Sequence, residues 1–232
     1  NANLRSEKSE SFEFGFRIAS DSTRLNLALF NTVYRDFIKE AQIAPEFLRF
    51  GGVDPADGLL TFKSVNVPSV KIYGAELGGE TKLSLLKTKD STTNFIFLDD
   101  MKLRYSVAYA RGESRSSREP IDEVQPLNGV VGLSYESPEK KWGTSLNVIF
   151  ASEKRQREIS STTRQPTDGY TVVDLIGYAT LYNNFSLSFG LFNIFDKQYL
   201  RWADTVFIQQ GSAFQRYTQP GFHGGINLKY TM

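Results

Sequence analysis

Few side chains in this sequence could do acid–base, nucleophilic or metal chemistry. The 232 residues include no cysteine and a single histidine, His223. Without cysteine, disulfide frameworks and thiolate metal sites are excluded, and one histidine argues against a histidine-based zinc site. A hydrolase would need a nucleophile aligned with a histidine base, and no Ser–Asp partnership with His223 is evident. We therefore predict that the protein is not an enzyme and that no cofactor or metal is permanently bound.

A second chemical feature is a charged segment between positions 152 and 169. Its basic members are Lys154, Arg155, Arg157 and Arg164, and its acidic members include Glu153, Glu158 and Asp168. The basic side chains could bind propionate groups or an acidic protein, whereas the acidic neighbours nearly cancel their charge and make a solvated loop the default interpretation. The formal net charge of the chain is only +1, so there is no electrostatic case for binding nucleic acid.

The elements that must position these residues are amphipathic strands. Successive side chains of a strand point to opposite faces. In the clearest example the apolar residues Met101, Leu103, Tyr105, Val107 and Tyr109 alternate with Lys102, Arg104, Ser106, Ala108 and Ala110. The even positions from Phe222 to Met232 are likewise apolar or glycine, and the odd positions are mostly polar. One such strand would also suit a soluble sandwich, but here the pattern repeats along the chain.

About nine strands can be counted, and their connections alternate in length. Short connections are predicted near residues 20, 90, 138 and 183, and long ones near residues 50, 118, 160 and 207. Short turns on one side and long loops on the other are the layout of an outer-membrane barrel. No apolar run is long enough for a transmembrane helix, and the first residues lack the pattern of a signal peptide.

The number of strands bears on whether the barrel is complete. Bacterial single-chain barrels have an even number of strands, and an open sheet leaves edge groups that lipid cannot satisfy. The expected fold is therefore all-β, a transmembrane antiparallel β-barrel of which this chain supplies only a part.

Four segments resemble signature motifs of the TonB-dependent outer-membrane receptors. Residues 1–17, NANLRSEKSESFEFGFR, are similar to the family's NPNL-type box, and residues 70–80, VKIYGAELGGE, to its Gly-x-Glu strand. Residues 193–199, NIFDKQY, are similar to its Asn-Leu-Phe-Asp-x-x-Tyr signature, and residues 217–221, YTQPG, to its Pro-Gly-Arg approach to the last strand. The sequence departs from the family pattern at Ala2, Phe222 and Met232, where Pro, Arg and Phe are usual.

This resemblance implies a barrel of about 22 strands around an N-terminal plug. Residues 1–232 would be the C-terminal part of that single barrel domain, its last nine strands or so. The implied location is the bacterial outer membrane, with the long loops extracellular and the C-terminus periplasmic. The implied partners are the lipid bilayer, lipopolysaccharide and, through an N-terminal part that this chain lacks, the TonB complex.

Residues 199–204, YLRWAD, and 216–221, RYTQPG, resemble most the haem, haemoglobin, transferrin and lactoferrin branch of the family. The transported ligand would then be haem or an iron complex, taken from a host haem- or iron-binding protein. Tyr199, Trp202 and Tyr217 could grip such a ligand, or they could belong to the aromatic girdle of the barrel. His223 could reach a haem iron, or it could simply line the lumen.

The leading hypothesis is thus a receptor that captures haem or a haem- or iron-carrying protein and imports haem or iron with TonB-supplied energy. The alternatives are a siderophore receptor of the same family and a passive, substrate-specific pore. In each case the long segments 39–64, 112–126, 152–169 and 193–220 are expected to carry recognition, because loops on a rigid scaffold host binding residues.

Overall fold

The computed structural model describes residues 3–42, 62–86, 96–160, 164–182, 184–206, 208 and 214–230. These residues form one antiparallel sheet of nine strands, each paired with its neighbour in chain order. The strands are β1 (Lys8–Ala19), β2 (Thr23–Gln42), β3 (Phe62–Lys82), β4 (Met101–Ser114), β5 (Asn128–Glu136), β6 (Trp142–Ala151), β7 (Tyr170–Tyr182), β8 (Phe185–Phe192) and β9 (His223–Tyr230). The prediction of an all-β, nine-stranded antiparallel architecture is confirmed.

One face of the sheet is a continuous apolar surface. Residues opposite each other on paired strands share a face. The register therefore joins Leu103, Leu133, Leu146, Leu175 and Leu191 into one row, and Phe14, Leu29, Ala75 and Tyr109 into another. Many of these side chains are open to the surroundings, including Phe14 at 55%. An exposed apolar face of this extent is what the lipid-facing wall of a membrane barrel requires.

The opposite face is polar and carries paired charges. Glu80 on β3 accepts a hydrogen bond from Arg104 Nε at 2.7 Å and lies 3.6 Å from Lys102 Nζ, both on β4. The row that starts at Arg104 continues through Gly132 and Asn147 to Asp174. Charged and amide side chains thus lie on the face that a barrel turns toward its aqueous interior.

The two outermost strands differ from the others in their surroundings. Every residue of β1 and of β9 is exposed, and within the described chain these two strands pair only with β2 and β8, respectively. The sheet is consequently an open wall with two free edges.

Some strand boundaries differ from those expected. The apolar alternation of the sequence continues to Leu85 and resumes at Phe95, which predicts strands there, but Leu83–Leu86 and Ile96–Asp100 are 3₁₀ helices. The reason is the partner strand: β3 makes its last pair with β2 at Thr81↔Thr23 and with β4 at Lys82↔Lys102. Beyond these pairs no neighbour among the described residues offers ladder hydrogen bonds, so apolar alternation alone does not sustain a strand.

At the other end, β2 and β3 run further than predicted and pair as far as Gln42↔Phe62. Most of the predicted loop 39–64, the turn at 87–94, and the motif positions Asn1, Ala2 and Met232 lie outside the described residues. In the part of the chain that the structure describes, none of the helices has the length and apolar character needed to cross a membrane.

Candidate functional site

The connections after β4, β6 and β8 all lie at one end of the sheet, called here the loop end. They comprise residues 115–127, 152–169 and 193–222. The connections 20–22 and 137–141 lie at the opposite end, because consecutive strands are antiparallel. Since β4 to β9 are neighbours in the sheet, the three loops emerge side by side.

These loops pack against one another around Trp202. The indole is only 2% exposed and lies in an apolar cluster with Ile159 of the second loop and Val206 of the third. Its Nε1 donates a 2.6 Å hydrogen bond to the backbone oxygen of Asp122 in the first loop. Trp202 therefore contacts all three loops, and we call this assembly the loop cluster.

Asp122 is the polar centre of the loop cluster. Its carboxylate is 3% exposed and accepts hydrogen bonds from the backbone N–H of Ser160 at 2.6 Å and from the Ser160 hydroxyl at 2.9 Å. Arg164 adds an ion pair at 2.6 Å, with its side chain 11% exposed. A buried carboxylate needs such partners, and removing one from a buried pair typically costs about 3–5 kcal/mol. Asp122 thus fixes the second loop to the first.

Lys154 inserts a charge into the same region. It is 5% exposed, its Nζ donates to the backbone oxygen of Val124 at 2.7 Å, and the ammonium lies 5.3 Å from the centre of the Trp202 ring. Burial lowers the pKa of Lys154, an effect partly offset by the nearby carboxylates of Glu158, Asp122 and Glu123. The ammonium joins the first and second loops and contributes a cation–π contact to the third.

The structure separates the basic residues of segment 152–169 into two kinds. Lys154 and Arg164 are built into the loop cluster, so the interpretation of this segment as a solvated loop is wrong for these two. Arg155 is exposed and forms an ion pair with Glu153. Arg157 is exposed and lines a cleft beside Lys154.

The three aromatic residues predicted to bind the ligand have surroundings that differ from one another. Trp202 is buried among loops, so it neither faces lipid as a girdle residue nor presents its ring to a ligand. Tyr199 lies against Tyr170, with ring centres 4.3 Å apart. Burial raises the pKa of Tyr199; Arg201 opposes this shift, while Asp174 and Asp204 add to it. Tyr217 is 45% exposed at the end of the 3₁₀ helix Phe214–Tyr217.

His223 is the first residue of β9 and lies at the loop end, where the alternation placed it. Its ring stacks on Phe192 with centres 5.1 Å apart, and Nδ1 is 2.8 Å from the backbone oxygen of Gly221. The imidazole is exposed and separate from the loop cluster. Within the described residues no group of three or more His, Asp or Glu side chains is arranged to hold a metal ion.

The NIFD segment, residues 193–196, links the end of β8 to the start of β9 through hydrogen bonds. Asn193 is 3% exposed, and its Nδ2 donates to the backbone oxygens of Lys197 and Pro220 at 2.9 and 3.0 Å. Asp196 accepts the backbone N–H of Phe222 at 2.8 Å. These bonds fix the approach to the last strand across more than twenty residues of loop.

In the Gly-x-Glu motif, close packing requires a glycine at position 74. A Cβ on this residue would clash with the backbone oxygen of Tyr109 on β4 and would lie 2.7 Å from the ring of Phe30 on β2. Because the backbone of the paired strand cannot move aside, only glycine fits at this position.

Of the six predicted binding residues, Trp202 contacts Lys154 and Arg157 lines the same cleft as Lys154. Arg155, Tyr199 and His223 instead contact Glu153, Tyr170 and Phe192, respectively, and Tyr217 is partly exposed. Asp122 and Tyr170 were not anticipated, since their partners are distant in sequence and neither belongs to a recognisable motif.

An open antiparallel wall with an apolar outer face and long loops at one end has the architecture of a part of a membrane β-barrel. The model of the family described as "TonB dependent receptor-like, beta-barrel" matches residues 1–194. The chain belongs to this family, whose members are outer-membrane transport receptors.

Curated relatives align along almost the whole chain. It is 28% identical to the "Probable hemoglobin and hemoglobin-haptoglobin-binding protein 4" of Haemophilus influenzae over 100% of this chain and 23% of that protein. It is 26% identical to "Transferrin-binding protein A" of Neisseria meningitidis serogroup B over 96% of this chain and 26% of that protein. The chain therefore spans about a quarter of the length of these relatives.

Solved structures share the fold. The copper transporter OprC matches with a TM-score of 0.75 at 21% identity, over 98% of this chain and 32% of OprC. The siderophore receptor PirA from Acinetobacter baumannii matches with a TM-score of 0.64 at 17% identity, over 99% of this chain and 32% of PirA.

Proposed function

We propose that the intact receptor captures haem, or a haem- or iron-carrying host protein, at the loop end and imports haem or iron into the periplasm with energy supplied through TonB. In this proposal the loop cluster is extracellular and the C-terminus periplasmic. The ligand is cargo, and the chain holds no permanent cofactor.

The observation that carries the proposal is the assembly of three loops into one packed body around Trp202. Loops ordered before binding lose less conformational entropy when a partner docks. A specific protein interface buries about 800 Å² on each side, which a single loop rarely provides but three joined loops can. The relatives aligned across these loops have names that refer to haemoglobin, haptoglobin and transferrin.

The likeness to siderophore and copper receptors supports the fold only, because those identities are 17–21%. The haem and iron-protein assignment rests on relatives at 26–28% identity that cover nearly all of this chain. For this reason we place the host-protein ligand ahead of a siderophore or passive diffusion.

The proposal can be tested in the intact receptor by shortening the loops 115–127 and 152–169 one at a time. We expect assembly in the outer membrane to be retained, while haemoglobin binding and growth on haemoglobin as sole iron source decrease, because recognition lies in the loops. A suitable control is Glu139→Gln with Lys141→Gln, which removes an exposed ion pair at the opposite end of the sheet.

Three results would contradict the proposal. Deletion variants that bind and grow like the parent would place recognition elsewhere. A parent that takes up only a ferric siderophore would favour the siderophore receptor. Uptake that persists without TonB would favour the passive pore.

A further inference from the structure

A cleft opens in the wall at the loop end, where β4 extends further than its neighbour β5. Strand β4 pairs with β5 as far as Ala108↔Asn128. Further along, Gly112 accepts a backbone hydrogen bond from Ile121 at 2.9 Å. Between these two points the chain bows away from β4 and leaves a cleft of about 130 Å³.

Basic side chains predominate among the charged residues of this cleft. Its charged lining residues are Arg111, Arg118, Lys154, Arg157, Glu113 and Glu158. Lys154 is bonded to Val124, but the three guanidinium groups have no hydrogen bond or ion pair with the residues that the structure describes. Other arginines of the same loops are paired, such as Arg155 with Glu153 and Arg201 with Asp204. The cleft therefore offers unused donors to an anion.

The cleft is held open by the loop cluster. The Lys154–Val124 and Trp202–Asp122 hydrogen bonds fix the bowed segment from two sides. Its base is tight, since a Cβ on Gly112 would lie 2.8 Å from Val124 Cγ2. A backbone that is fixed before binding loses less entropy when the ligand arrives.

The size and lining select the kind of ligand. Pockets for drug-sized molecules measure about 300–1,000 Å³, so a haem macrocycle does not fit. A guanidinium matches a carboxylate with two parallel hydrogen bonds. Ile121, Val124 and Leu127 line the same cleft and would pack against the short apolar stem of an acidic side chain.

We propose that this cleft binds the carboxylate of an acidic side chain on a protein docked at the loop end. The inference rests on the proposed function, and it adds the chemical feature of the partner that the receptor recognises. Free phosphate or a lipopolysaccharide phosphate would offer related chemistry, so the experiment must separate these sources.

The test is the double variant Arg118→Gln with Arg157→Gln in the intact receptor, with haemoglobin as the probe. We expect the dissociation constant to rise about tenfold, as for the loss of a central charged contact, and its salt dependence to become shallower. Arg157→Lys keeps the charge without the planar fork and should recover part of the affinity. The matched control is Arg115→Gln, an exposed arginine of the same loop that does not line the cleft.

Heat-modifiability on gels confirms that each variant has assembled. If the double variant fails to assemble, single Arg157→Gln replaces it, because Arg157 is exposed and lies outside the strands. Unchanged haemoglobin affinity in an assembled variant overturns the inference alone. Loss of bound lipopolysaccharide with unchanged haemoglobin affinity assigns the cleft to a phosphate and also overturns it. A parent that binds neither haemoglobin nor transferrin overturns the proposed host-protein ligand and, with it, this inference.

Discussion

Lys154 carries its charge at a buried position, where a charge is energetically unfavourable. Its contacts explain how the loop cluster accommodates this charge. The ammonium is nearly sealed from solvent, with one backbone oxygen and one indole face as its closest partners. Desolvation disfavours the charged form, which is why its pKa is lowered. The same residue lines the cleft, so the loop cluster and the proposed carboxylate site share one ammonium group.

We predict that Lys154 loses its proton at a lower pH than a solvated lysine, whose pKa is about 10.4. The unfolded chain binds this proton more tightly than the folded chain. Between the folded and unfolded pKa values the stability of the loop cluster therefore rises with pH. In the intact receptor, the difference in fluorescence between the parent and a Trp202→Phe variant isolates the Trp202 signal. The alkaline titration of this signal should show one early transition, which Lys154→Met abolishes and Lys141→Met at the exposed turn preserves. A transition unaffected by Lys154→Met would refute the assignment.

At the scale of single residues, the sequence identifies some site residues but not the residues that contact them in the fold. Arg157 stood out by charge and Trp202 by its place in a family-like segment. Asp122 carried no signal, because its partners Ser160 and Arg164 lie about forty residues away. Burial of Trp202 was missed for the same reason, since its hydrogen bond to Asp122 spans 80 residues.

At the scale of the strand, the alternation of apolar and polar residues predicts well which face of the sheet each side chain occupies, because a slip of one residue exchanges the two faces. The ion pairs of Glu80 with Lys102 and Arg104 are formed on the face opposite to the leucine row. A slip would place these charges in hydrocarbon at a cost of about 2–4 kcal/mol for each charge near the midplane.

We predict that Leu103 faces lipid and Arg104 faces water in the intact receptor. Because the chain has no native cysteine, Leu103→Cys and Arg104→Cys can each be labelled by a water-soluble thiol reagent against no background from this chain. The cysteine at position 104 should react faster. A matched pair on the neighbouring strand, Leu133→Cys and Gly132→Cys, should show the same order, since these residues pair with Leu103 and Arg104. Faster labelling at 103 would contradict the register.

Alternation is less informative about where a strand stops. The 3₁₀ helices Leu83–Leu86 and Ile96–Asp100 continue the apolar composition of β3 and β4 but have no paired neighbour in the part of the chain that the structure describes. Composition also does not predict the hydrogen bonds of the NIFD segment. The bond from Asn193 to Pro220 depends on how the long loop returns to β9. Family resemblance located that segment, and the structure supplies its physical role.

At the scale of the whole molecule, the sheet is a wall with an apolar outer face, a charged inner face and an ordered loop cluster at one end. Strands β1 and β9 are exposed along their full length. Their free backbone groups are the kind that lipid cannot satisfy, and exposed edges also promote pairing between chains. We infer that both edges are paired with further strands in the intact receptor, consistent with the 32% coverage of OprC.

We predict that residues 1–232 expressed alone in detergent do not form a stable monomeric barrel, because closure is what satisfies the two edges. The chain should aggregate or remain protease-sensitive, and it should migrate on gels at the same position with and without heating. The intact receptor, prepared in the same detergent, should be monodisperse, resist protease and shift its migration on heating. Light scattering and limited proteolysis distinguish the two behaviours. A monodisperse, protease-resistant monomer of residues 1–232 would mean that β1 and β9 can close on each other, and the inference of further strands would then fail.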